Sequence, residues 1–396
     1  MTTTSETATR RPPAVRMGHH DPNDRPFIVI WEVTRACALV CRHCRADAQH
    51  RAHPDQLSTA QGRALLEEIA AFGRPFPIVV LTGGDPFERA DLAELVRHGT
   101  DLGLSMSISP SVTPKLTRDR VRALREAGGK AMSVSLDGAT AATHDDFRGI
   151  SGTFASTLEA ARMIGEEGFR LQVNTTVTRN NVRELPRLLV DVLGMDAKMW
   201  YLFFLVPTGR GAQLQSLEPA DKEDVLHWLH DVSDRIAIKT TEAPQYRRVA
   251  LQREALRDAG RPRPERGELW EWLTDETTRL LGAAPEKPRV PRAPMAVNSG
   301  NGFAFIDHVG DVYPSGFLPF VCGNVKRESF REVYRDSEVM QRLRRPDEFS
   351  GKCGSCEFNK VCGGSRSHAH AVTGDPFASD PTCPYVPPRW QPDERR

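Results

Sequence analysis

Short apolar runs separated by amphipathic stretches recur along the chain from residue 27. The runs FIVIWEV (27–33), PIVVLTG (77–83), LSMSISP (104–110), AMSVSLDG (131–138), LQVNTTVT (171–178) and WYLFFLVP (200–207) are rich in β-branched and aromatic residues. Several end in Gly or Pro, as strands do. Between them, residues 59–72, 88–101, 117–127, 153–167 and 182–193 carry apolar side chains at helical spacing. Leu65, Leu66 and Ile69 keep one face of the first apolar, and Leu158, Ala161 and Ile164 do so in the fourth. This alternation predicts parallel strands joined by crossovers. A closed eight-fold barrel takes about 250 residues, so residues 27–215 predict a partial (β/α)6 parallel barrel. In such folds chemistry gathers at the C-terminal ends of the strands.

The pattern then changes. PADKEDVLHWLHDVSDRI and GELWEWLTDETTRLLGAA read as helices, with a short strand and a further helix between them. Proline-rich connectors follow at 261–267 and 286–294, and the main domain break is expected at the second. GFAFIDHVGDVYPSG (302–316) reads as a hairpin turning at His308–Asp311. The expected organisation is a disordered tail over 1–26, the partial barrel over 27–215, a helical bridging segment over 216–295 and a cysteine-rich α+β domain over 296–396.

Composition narrows the function. With 396 residues, 39% hydrophobic and 27% charged, the chain is globular, and its net charge of +1 argues against broad capture of nucleic acid. No apolar run is long enough for a membrane span. The first 26 residues lack the apolar core of an export signal, so a cytoplasmic location is expected, with His19 and His20 as solvated tail residues. Eight cysteines in such a chain are expected to be reduced and free to bind metal. Three lie at 37, 41 and 44, none falls between 45 and 321, and five crowd into 322–383.

TRACALVCRHCRAD (34–47) leaves the first predicted strand and supplies Cys37, Cys41 and Cys44. Three thiolates suit a soft metal or an iron–sulfur cluster. Zinc closed by His43 is the structural alternative, but adjacent residues seldom reach one tetrahedral ion together. The spacing fits a cubane held at three irons, with the fourth left for a non-protein ligand. At the other end, CGSCEFNKVC provides Cys353, Cys356 and Cys362, and Cys383 completes a four-thiolate set; structural zinc is again the alternative.

CALVCRHC resembles the C-x3-C-x2-C signature of radical S-adenosylmethionine (SAM) enzymes, although His43 stands where that family usually has an aromatic residue. The resemblance implies a [4Fe–4S] cluster whose open iron chelates SAM, and reductive cleavage of SAM to a 5'-deoxyadenosyl radical. LTGGDPF (81–87) resembles the family's Gly-Gly-Glu-Pro turn, which implies that Gly83, Gly84 and Asp85 belong to the site receiving the SAM ammonium group. SVSLDG (133–138) resembles a Ser-x-Asp-Gly stretch near the ribose and methionine carboxylate, implicating Ser135 and Asp137. Asn174 is a further candidate for SAM contact, and VPTGRG (206–211) falls where the family places the adenine.

The second cysteine group resembles the auxiliary domain of SPASM type and implies an auxiliary [4Fe–4S] cluster on Cys353, Cys356, Cys362 and Cys383. Complete domains of that type carry seven cysteines for two clusters. Here Ser315 stands at one expected position, so a single auxiliary cluster is expected and Cys322 is a buried or spare thiol.

HDDFRG (144–149), FFLVPTGRG (203–211) and IKTTEAPQYRRV (238–249) resemble the coproheme decarboxylase and heme-maturation branch. That implies a tetrapyrrole substrate, with Arg148, Arg210, Arg247 and Arg248 as candidates for its carboxylates. A peptide maturase of the same type is the alternative, and a non-catalytic, metal-stabilised binding protein is a third. An electron donor such as flavodoxin or ferredoxin is the expected partner. No catalytic acid or base is assigned, because the cofactor carries the hard chemistry.

Overall fold

The computed structural model describes residues 13–18 and 20–391. Six parallel strands follow one another in order: β1 (Ile28–Glu32), β2 (Ile78–Thr82), β3 (Ser105–Ile108), β4 (Ala131–Ser135), β5 (Arg170–Val177) and β6 (Met199–Phe204). Each matches an expected apolar run, and the five expected helices lie between them. A sixth helix, Ala141–Arg148, was not anticipated. Its sequence AATHDDFR has no apolar stripe, and its buried side chains are His144, Phe147 and Arg148.

The sheet does not stop at the expected boundaries. The bridging segment adds β7 (Ile238–Thr241) in parallel to β6. The hairpin β8 (Phe303–Ile306) and β9 (Asp311–Tyr313) turns where expected, but β8 also pairs in parallel with β1. With β10 (Gly323–Asn324) the sheet has ten strands in the order β10-β9-β8-β1-β2-β3-β4-β5-β6-β7, open at β10 and β7.

One apolar core runs through this sheet and its helices, from Val29 to Met340. Trp200 on β6 meets Trp228 of the helix Pro219–Asp231 edge to face at 6.1 Å. Each indole N–H has a hydroxyl partner, Thr175 for Trp200 and Thr277 for Trp228, so both rings are buried without an orphaned donor. A second small cluster of Leu318, Leu343, Phe349 and Phe377 supports Cys353.

Disorder was expected over residues 1–26. Residues 1–12 and His19 fall outside the described residues, but residues 13–18 and 20–26 follow a defined course. Val15 is buried, and the main chain of Arg16 exchanges hydrogen bonds with Pro294 and Ala296 at 2.8 and 2.9 Å. Arg335 pairs with Asp24 at 2.7 Å. These partners lie some three hundred residues away in sequence, where local pattern carries no sign of them.

The fully buried Tyr334 ties the segment down: its hydroxyl donates to Pro22 O at 2.6 Å and accepts from Gly302 N at 3.0 Å. Tyr334→Phe is expected to cost about 1–3 kcal/mol, because it leaves two groups without their partner. A thermal melt checks this; an unchanged Tm would show that the anchor contributes nothing.

Candidate active site

The loop after β1 carries Cys37, Cys41 and Cys44, and neighbouring strand ends hold it through main-chain contacts. Gly84 N donates to Thr34 O at 2.8 Å and Asp85 N to Ala36 O at 2.7 Å. Arg42 N donates to Phe147 O at 3.0 Å, and Arg210 N to Cys44 O at 3.2 Å. These approaches require glycine. A Cβ on Gly84 would stand 2.3 Å from Ala36 O, and one on Gly83 would stand 2.4 Å from Thr34 O. Gly209, at φ +55°, would place a Cβ 2.7 Å from Cys44 O.

The three thiols border a cavity of about 250 Å3 at the strand ends. Of the residues expected there, Gly83, Gly84, Ser135 and Asn174 also border it. Ser135 and Asn174 are register partners across β4 and β5. Asp85 and Asp137 do not border it; both are completely buried. Asp85 accepts from Phe87 N, Ser111 N and Thr113 Oγ1, the last at 2.7 Å, and so shapes two loop turns. Burial pushes its carboxyl above the ordinary range. Asp137 Oδ1 accepts from Thr176 N at 2.6 Å, while Oδ2 pairs with Arg148. Burial acts to raise its carboxyl, but the Arg148 guanidinium, the imidazoles of His43 and His144 and the Thr176 N–H together hold it below the ordinary range. Strand alternation would put Ser135 and Asp137 on one face, but the strand ends at Ser135, so it does not govern Asp137.

His43 stacks on Phe147 with ring centroids 4.5 Å apart. Burial, and then the charge of Arg148, lower its pKa to about 4, so the ring is neutral at pH 7. Three polar groups of this cavity region have buried atoms without a partner: His43 Nδ1, Thr208 Oγ1 and Arg210 Nε and Nη2. Such groups are costly to leave unmet, and Arg210 is one of the residues that border the cavity.

The other expected arginines are committed elsewhere. Arg247 donates to Met295 O, Val297 O and Asn298 Oδ1 and does not border the cavity. Arg248 pairs with Glu223 and borders the second cysteine site instead. Arg148 does border the cavity, but its guanidinium is engaged by Asp137 and Cys41. Their strand-end positions in the sequence said nothing of these long-range partners.

At the second site Cys353, Cys356, Cys362 and Cys383 line one small cavity together. Cys322 is apart from them, its sulfur 3.6 Å from Phe320 O.

The donor sets of both sites fit iron–sulfur clusters. Among the described residues no three His, Cys, Asp or Glu side chains are grouped to ligate a single ion. At each site the thiols line one cavity together, and a cluster takes one thiolate at each ligated corner. Every thiol of the first site has a hydrogen-bond donor at its sulfur: Leu39 N at Cys37, Arg148 at Cys41 and Ala48 N at Cys44, at 3.4, 3.7 and 3.5 Å. Arg366 and Asp380 N donate likewise to Cys353, at 3.4 and 3.3 Å. Such donors surround cluster thiolates and tune them. Burial pushes the Cys356 and Cys362 thiols up to about 11 and 12, so ionised sulfur there needs a positive partner, which cluster irons supply.

Comparison with known proteins agrees with this geometry. Residues 31–192 match the radical SAM superfamily, and residues 298–357 match the SPASM iron–sulfur cluster-binding domain. The AdoMet-dependent heme synthase of Oleidesulfovibrio alaskensis is 37% identical over 91% of this chain and 87% of its own.

The chain is a radical SAM enzyme with a SPASM domain, of the branch that includes the heme synthases.

The PqqA peptide cyclase of Rhodopseudomonas palustris is 29% identical over 91% of this chain and 88% of its own. Among solved structures, Streptococcus suis SuiB bound to its precursor peptide superposes with a TM-score of 0.65 at 16% identity. It covers 91% of this chain and 76% of that one, and shares the fold. As a radical SAM enzyme with a SPASM domain, the protein uses a [4Fe–4S] cluster, SAM and auxiliary iron–sulfur chemistry. No helix among the described residues is long and apolar enough to cross a membrane.

Gly84→Ala is expected to part the β1 and β2 loops, because the Cβ meets main chain that cannot swing aside. Iron per chain of the anaerobically purified variant checks this. Wild-type iron content would show that the close approach is dispensable.

Proposed function

We propose that this enzyme removes carboxylates oxidatively from the propionate arms of an iron porphyrin. The observation that carries the reading is the 37% identity to a heme synthase across nine-tenths of the chain, against 29% for the peptide cyclase. The cavity supports it through Arg210, whose buried Nε and Nη2 lack partners and suit a carboxylate.

In this reading Cys37, Cys41 and Cys44 hold the cluster that binds SAM. Gly83 and Gly84 present main chain to the SAM ammonium group, and Ser135 and Asn174 face the nucleoside from β4 and β5. Asp85 and Asp137 act from beneath, by fixing the turns and the guanidinium that the cavity needs. Cys353, Cys356, Cys362 and Cys383 hold one auxiliary cluster, without Cys322. With cluster and SAM bound, the centre supplies a carbon-centred radical that takes a hydrogen atom from substrate. Loss of that hydrogen atom, of carbon dioxide and of one electron converts a propionate to a vinyl group. The second cysteine site is the acceptor for that electron within the chain. Flavodoxin or ferredoxin would supply the reducing electron, and the enzyme would work in the cytoplasm.

Two measurements test the reading. Anaerobic protein is expected to hold about eight irons, falling to about four in a Cys37/Cys41/Cys44→Ala variant that yields no 5'-deoxyadenosine. Incubation with iron-coproporphyrin, SAM and dithionite should release carbon dioxide with a matching loss of porphyrin mass. Absence of both, while 5'-deoxyadenosine is still formed, would reject the porphyrin and favour a peptide substrate.

Arg210→Gln is expected to weaken porphyrin binding about tenfold or more, since charged hydrogen bonds contribute about 1.5–3 kcal/mol. Porphyrin absorbance titration of the variant gives the Kd. An unchanged value would remove Arg210 from substrate recognition.

A further inference from the structure

The stretch HDDFRG is absorbed neither by SAM binding nor by the substrate. It forms the end of the helix Ala141–Arg148, and Asp146, Phe147 and Arg148 touch the cysteine loop. Phe147 O accepts from Arg42 N, the Phe147 ring lies under His43, and Asp146 pairs with the Arg42 side chain. Arg148 reaches furthest. Its Nη1 is 3.7 Å from Cys41 Sγ, and its Nη2 is bound by the carboxylate of Asp137.

Asp137 has no freedom to release that arm. Besides accepting from Thr176 N, it donates its main-chain N–H to His144 Nδ1 at 3.1 Å, and its carbonyl accepts from Asn181 Nδ2 at 2.8 Å. The ion pair is almost wholly out of water, with side-chain exposures of 11% for Arg148 and 1% for Asp137. A buried pair of this kind is expensive to desolvate and adds little stability by itself, so its position against a cysteine sulfur calls for another explanation. The donors at Cys37 and Cys44 named above are neutral main-chain N–H groups; the one at Cys41 carries a full charge.

We infer that Arg148 is a positioning residue that sets the reduction potential of the radical-generating cluster, by donating to the Cys41 sulfur while Asp137 holds it in place. The inference rests on the reading that Cys41 ligates that cluster. A cation hydrogen-bonded to a ligating thiolate stabilises the extra negative charge of the reduced state and makes the potential less negative. Arg366 stands against Cys353 in the same way, so the second site serves as an internal control that Arg148 does not touch.

The test is an anaerobic, EPR-monitored redox titration of the full-length, reconstituted protein with and without SAM. The first cluster is recognised by a signal that changes when SAM is added. In Arg148→Gln this signal should titrate at a more negative potential, while the auxiliary signal stays where it is in wild type. Arg148→Lys, which keeps the charge and loses the fork, should show a smaller shift in the same direction, and it decides the question where the glutamine variant fails to load iron. A protein of either variant with both clusters present and the SAM-responsive potential unshifted overturns the role of Arg148 alone. A SAM-responsive signal that survives in Cys41→Ala overturns the ligand assignment itself, and the inference with it.

Discussion

Main chain from several strand ends must come within hydrogen-bonding distance of one short loop, and everything else at the site follows from that. The loop from Thr34 to Cys44 is too short to build a core, and its polar groups must still be paired. It borrows partners from the turns after β2 and β6 and from the helix end at Phe147. Glycine at 83, 84 and 209 is the condition for the approach, since a Cβ at any of them would overlap a carbonyl oxygen. The main chain of this loop is thereby tied to three neighbouring elements.

The same loop is also where the two halves of the chain meet. Arg45, next to Cys44, donates to Glu32 Oε2 at 2.7 Å and to Gly316 O at 3.1 Å, and its guanidinium lies over Phe305. Glu32 Oε1 is 3.0 Å from His308 Nδ1. Burial acts to raise the Glu32 carboxyl, but Arg45 and His308 together bring it below the ordinary range. Arg45 and Phe317, from the two halves, both border the large cavity. The auxiliary half therefore helps to form the cavity as well as holding the second cysteine set.

Much of this was readable beforehand. The strands β1 to β6 announce themselves because each buries a mostly apolar set of residues at least at every second position, and in β2, β3, β5 and β6 the buried positions alternate with more exposed ones. The cysteine sets were readable because ligand spacing is a local constraint. The helix Ala141–Arg148 was not, because it buries His144, Phe147 and Arg148 in place of an aliphatic stripe. The arginines show the same limit. Position after a strand made Arg148, Arg210, Arg247 and Arg248 look equivalent, yet only Arg210 keeps unmatched donors at the cavity. The packing of Val15, Arg16 and Asp24 and the pairing of β8 with β1 were equally hidden.

By itself the sequence determined the repeating strand–helix plan, the two thiol sets and the turns that accompany them. Each of these is written in residues close together in the chain, where periodicity and spacing are visible. Tertiary structure alone decided what each charged side chain does: Asp137 faces Arg148 rather than the cavity, Arg148 faces a sulfur, and Arg247 and Arg248 are spent elsewhere. A buried charge takes its role from the partners it meets, and these lie 11 residues away in sequence for Asp137 and Arg148 and 107 for Arg148 and Cys41, brought together only when the sheet assembles.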